Sequence, residues 1–132
     1  MSDPEYALTK RLPDVSYDDA VGRVTDALKT EGFGVLTEID VKATLKKKLD
    51  VDFRRYAILG ACNPPLAHRS LQNEPLIGLL LPCNVVVSEA EGQGSIVAIA
   101  NPREMFKVVE NPELGSVVDE VDAKLRRVLE RI

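Results

Sequence analysis

At 132 residues, with 45% hydrophobic and 29% charged side chains, the chain has the length and composition of one globular domain rather than a disordered or fibrous protein. Its formal net charge of −4 argues against a nucleic-acid or anionic-membrane binder, since those need a dominant positive field. No apolar run approaches the roughly 20 residues of a bilayer span.

The N-terminal MSDPEYALTK has no basic region followed by an apolar stretch, so no secretory signal is expected. Two cysteines in such a chain read as reduced thiols of a cytoplasmic protein. With no tryptophan, the core must come mainly from Val, Leu, Ile and Ala.

Tyr6 to Leu12 alternates as a first strand and stops at Pro13. Ser16 precedes Asp18 and Asp19 in a first helical turn, where the dipole favours acidic groups. Tyr17, Ala20, Val21, Val24, Ala27 and Leu28 then recur at helical spacing, and Gly32 is a natural stop. Phe33 to Ile39 follows as a second strand, giving strand, helix, strand. Asp40 can cap a second helix with Val41, Leu45 and Leu49 on one face and Lys42, Lys46, Lys47 and Lys48 mostly on the others. Phe53 to Leu59 reads as a third strand ending at Gly60.

Asn84 to Ala90 and Ser95 to Ala100 flank the turn EGQG, the pattern of an antiparallel hairpin. From Glu113 to Ile132, Leu114, Val118, Val121, Leu125, Val128 and Ile132 alternate steps of four and three, an amphipathic helix. A helix covering a sheet explains that stripe more simply than a dimer seam. The basic stretch from Lys42 to Arg55, with Phe53 and Tyr56, reads as a solvated face before it reads as an anion patch.

Asn-Pro occurs at Asn63-Pro64, Asn101-Pro102 and Asn111-Pro112. Asparagine accepts from orphaned helix amides and proline suits the first helical position, so each reads as a helix start. Cys62 therefore ends a strand one residue before a helix cap. The positive end of the dipole there favours thiolate, which makes Cys62 a candidate nucleophile, redox thiol or soft-metal ligand. The blander reading is a small buried residue at a tight junction. Cys83, in LPCNVV, sits at a similar boundary, and the two thiols can converge if their loops meet at one end of the sheet.

No CxxC spacing joins them, and two cysteines with one histidine lack the four short-spaced ligands of a zinc site. His68 falls one turn into the helix beginning at Pro64, and a solvent-facing position near Arg69 is its simpler account. No Ser/His/Asp order, carboxylate pair or phosphate loop is present.

FGVLTEIDVKATLKKKLDVDFRRYAILGACNPPLAHRSL (residues 33–71) and GLLLPCNVVVSEAEGQGSIVAIANP (residues 78–102) resemble the uncharacterised family called domain of unknown function 302. The resemblance covers nearly the whole chain. It implies a compact two-layer domain, commonly a homodimer, with no settled activity, and it directs attention to Cys62, Asn63, Pro64 and Cys83.

The expectation is thus a single α+β domain over residues 1–132: a two-layer sandwich with a mixed sheet of about five strands and helices mainly on one face. The candidate ligand-binding residues are Cys62, Asn63, His68 and Cys83, at a mouth where a helix start receives an anion or thiolates hold a soft metal. The alternatives are a thiol-dependent enzyme, with Cys62 attacking and Cys83 resolving, and a structural homodimer. Ligand, cofactor and reaction are not legible.

Overall fold

The computed structural model describes residues 3–132. Strands β1 (Ala7–Leu12), β2 (Gly34–Asp40), β3 (Tyr56–Cys62), β4 (Cys83–Glu89) and β5 (Ser95–Ala100) form one sheet in the order β1-β5-β4-β3-β2. Every neighbouring pair is antiparallel, so the expected mixed sheet is corrected to a wholly antiparallel one. The reason is topological. Helix α1 (Tyr17–Thr30) carries the chain from β1 at one edge to β2 at the other, so these two strands run the same way yet never become neighbours.

Alternation within the strands builds the core. Ala57, Leu59 and Ala61 of β3, Val85 and Val87 of β4, and Val97 and Ile99 of β5 are buried on one face. That face packs against Ala20, Val24, Ala27 and Leu28 of α1 and Val117, Val121, Leu125 and Val128 of α5 (Gly115–Glu130). The C-terminal stripe is therefore core packing, as the simpler reading had it, except that Val117 and not the expected Val118 is buried; Val118 is half-buried. A short helix α3 (Pro64–Asn73) completes the layer through Leu66 and Ser70.

Among the described residues the opposite face carries no helix-borne core. A cross-strand row there runs Ile39, Ile58, Val86, Ala98, Thr9. Ile39 is 48% exposed and the others are half-buried. A sheet that packs on one side commonly shows polar residues on the other; this row is aliphatic at four of its five positions.

Helix caps follow the sequence. Ser16 Oγ accepts from Asp19 N at 3.1 Å, and Asp40 Oδ1 accepts from Ala43 N at 2.9 Å to start α2 (Val41–Leu49). The latter helix buries no residue, and Leu49 is 65% exposed. All three Asn-Pro pairs start helical segments, at α3, at α4 (Pro102–Met105), and at a 3₁₀ turn, Pro112–Leu114, leading into α5. A further 3₁₀ helix, Pro75–Leu80, lies in a stretch with no clear periodicity.

One strand is shifted from expectation. β3 begins at Tyr56 rather than Phe53 and continues through Gly60 to Cys62. Gly60 does not end the strand. A Cβ there would strike Thr37 Oγ1 and fall 2.7 Å from Pro82 Cγ, so the missing side chain marks a close approach inside the sheet.

Candidate functional site

The start of α3 is assembled by the end of α1. Thr30 closes α1, Gly32 takes φ 82°, and the amides of Gly32 and Phe33 bond back to Lys29 O and Leu28 O at 3.1 and 3.0 Å. This glycine-terminated motif turns Phe33 back under the helix and directs the Glu31 carbonyl outward. Asn63 Nδ2 donates to that carbonyl at 3.2 Å, while Asn63 Oδ1 accepts from Leu66 N at 3.3 Å. Asn63 is thus a buried cap whose amide is used at both ends.

Glu31 itself is held to α5 by Arg127 at 2.9 Å and Arg131 at 3.4 Å. The hydrogen bond from Arg127, with the attraction of both arginines, holds its carboxyl below the usual carboxylate range against the opposing effect of burial.

Cys62 closes β3 opposite Gly34, and Cys83 opens β4 opposite Ala61. The two cysteines therefore lie at the same end of the sheet, on neighbouring strands and one position out of register. Both are free thiols and half-buried. Burial, and secondarily the neighbouring Cys62, push the Cys83 thiol up to about 11. At neutral pH it is a protonated, weakly polar group.

Between these strand ends and α3 opens a cavity of about 340 Å³. Ala61, Cys62 and Cys83 form its sheet side. Leu66, Ala67, Ser70 and Leu71 come from α3, Phe33 and Leu36 from the entry to β2, Leu81 and Pro82 from the segment before β4, and Phe106 and Val121 from the C-terminal third. Three of the four residues singled out in the sequence, Cys62, Asn63 and Cys83, meet here. His68 does not: it is exposed on α3 and contributes nothing to the wall.

The helix start offers an anion little. Pro64 and Pro65 have no N–H, Leu66 N is bound to Asn63 Oδ1, and Ala67 N is bound to Asn63 O at 2.9 Å. The dipole remains, but the donors that normally grip an anion at a helix N-terminus are absent or engaged. No group of three or more His, Cys, Asp or Glu side chains suited to a metal occurs among the described residues. A soft ion at Cys62 and Cys83 would need its other ligands from elsewhere.

Residues 8–132 match the family described as domain of unknown function DUF302. The chain belongs to the DUF302 family. A solved structure titled as an uncharacterized conserved DUF302 protein from Bacillus stearothermophilus is similar to it at 29% identity and a TM-score of 0.88, covering 97% of this chain and 98% of that one. No curated protein matches it. In this DUF302 chain ACNP and LPCNVVV both contribute residues to the cavity wall.

Sequence reasoning did not select Leu36, Leu71, Phe106 or Val121, which complete the wall. Leu36 and Leu71 carry a signal in retrospect, since at 68% and 40% exposure they are large apolar side chains left outside the core. Phe106 gives none, because only the path of the chain from β5 to α5 brings it to the strand ends. No helix among the described residues is long and apolar enough to cross a membrane.

Proposed function

We propose that the protein is a small binding domain whose ligand occupies the cavity between the Cys62 and Cys83 ends of β3 and β4. One observation carries this reading. A cavity of about 340 Å³ is walled at once by both cysteines, the Asn63 cap and side chains from several distant chain segments. Its volume lies at the lower end of the roughly 300–1,000 Å³ common for small-molecule sites.

Binding is favoured over thiol chemistry by two features. A resolving cysteine must ionise to attack, whereas the Cys83 thiol is held up at about 11. No base that could activate Cys62 lines the cavity, since the chain's only histidine lies outside it. Free thiols also suit a reducing, cytoplasmic setting.

The test is native-state labelling with N-ethylmaleimide, read at each cysteine by peptide mass spectrometry. Cys62 should react while the protein is folded, and Ala67→Leu, which fills the cavity, should slow it while changing stability by less than about 1 kcal/mol. Labelling that is the same in both proteins, or absent until unfolding, would sink the reading. Reactivity that appears only after a chelator is added would replace it with a soft-metal site.

A second reading rests on a different surface. The uncharged aliphatic row Ile39, Ile58, Val86, Ala98 on the outer face has no like charges to repel a copy of itself, as a two-fold contact requires. We propose this face as the homodimer contact. Val86→Lys should then sediment as a folded monomer; an unchanged sedimentation coefficient would move the contact elsewhere.

A further inference from the structure

We infer that the cavity takes an uncharged, apolar ligand of fused-ring size, and that a net charge on the ligand is what it selects against. The inference rests on the binding reading above and names the chemistry of that site.

The wall decides the class. Among the described residues no Asp, Glu, Lys, Arg or His lines the cavity. Its amide and hydroxyl are already occupied within the protein: Asn63 bridges Glu31 O and Leu66 N, and Ser70 Oγ donates to Leu66 O at 2.8 Å. A charged ligand entering here would lose its water and gain no countercharge from the wall, a cost that apolar contact does not return.

An uncharged ligand meets the opposite conditions. Phe33 and Phe106, two of the chain's three phenylalanines, stand in the wall together with both of its thiols. Aromatic faces and polarisable sulfur favour a flat, polarisable partner. The Cys83 thiol, half-buried against the wall and losing hydration there, is held neutral at neutral pH and adds no charge. The mouth continues the same chemistry, since Leu36 and Leu71, both lining the cavity, are also exposed to solvent. A ligand therefore meets apolar side chains from the rim inward.

Three naphthalene probes of similar size test this: 2-acetylnaphthalene, uncharged; 2-naphthoate, an anion; and 2-naphthylmethylammonium, a cation. Each is titrated into the full chain and followed by amide chemical shifts. The expected result is saturable shifts at Phe33, Ala67, Leu71 and Phe106 with the ketone, and binding at least about tenfold weaker for both ions. Ala67→Leu should abolish the ketone shifts. If that variant does not fold, Leu71→Lys, which places a charge at the exposed rim, should weaken ketone binding about tenfold.

Equal or tighter binding of either ion at the same residues would overturn the inference while leaving the cavity as a binding site. Ketone binding that both variants leave unchanged would overturn it as well, because the ligand would then sit elsewhere. No shift at these residues with any of the three probes would overturn the inference and the binding reading beneath it.

Discussion

The two ends of strand β4 are built to opposite plans. At its hairpin end the molecule is closed. Ser95 is fully buried and its hydroxyl donates to Val15 O at 2.8 Å, Ala90 N bonds Gly94 O at 2.9 Å, and Leu12 and Val15 are buried beside them. Gly94, at φ 82°, lets the turn sit directly on the backbone of Leu12 and Pro13. At the Cys83 end the same sheet opens on a cavity of about 340 Å³ with an apolar wall.

Protein interiors pack densely, and a sequence that closes one end of its sheet this tightly has the means to close the other. The open end therefore differs in packing from the closed one. Its polar groups are settled in advance by Asn63 and Ser70, so that the space itself is left plain.

A Cβ at Gly94 would clash with Leu12 O and lie 2.6 Å from Pro13 Cα, in a backbone conformation that side chains resist. Gly94→Ala should cost about 3 kcal/mol or more in urea unfolding, from strain and forced movement together. A loss below about 1 kcal/mol would mean that this end is looser than its geometry implies.

Next in size is an alkaline effect at the open end. The folded Cys83 thiol titrates at about 11, above the 9.0 of a solvated thiol. Its contribution to stability is therefore complete below pH 9 and lost as pH rises towards 11. Wild type should lose roughly 2 kcal/mol more than Cys83→Ala across that range, measured by denaturant unfolding at each pH. Parallel pH profiles for the two proteins would place Cys83 in a more hydrated setting than the cavity provides.

The smallest effect is expected where space already exists. Ala67→Leu should change stability by less than about 1 kcal/mol in either direction, because the added methyl groups enter the cavity. A loss of about 2 kcal/mol or more would show that the wall is rigid and the space too narrow for a side chain.

Most of the scaffold was legible because its signals are local. Ser16, Asp40 and the Asn-Pro pairs cap helices through hydrogen bonds to amides two or three residues on, so short patterns sufficed to place them. The α5 stripe and the EGQG hairpin are likewise periodic patterns read within one element. Gly60 misled because a glycine in a strand can mark a stop or a close approach, and the decision rests on Thr37 and Pro82, which arrive from distant segments.

The sheet's direction was hidden for a similar reason. Nothing in the strand-helix-strand order of residues 6–39 tells that α1 crosses the whole sheet. The site was half legible. Cys62, Asn63 and Cys83 were marked by their boundary positions, while the proline pair that denies an anion its amides was taken only as a helix start. The cavity belongs to no segment, so Leu36, Leu71 and Phe106 could be recognised only once the elements had converged.

The most direct measurement is a crystal structure of the protein under xenon pressure, since xenon enters apolar space without charge or hydrogen bonding. An occupied xenon site is expected between Phe33, Leu66 and Phe106, with none at the hairpin end around Ser95. Xenon at neither end, or at the hairpin end instead, would contradict the account that this molecule keeps one end of its sheet open for a ligand.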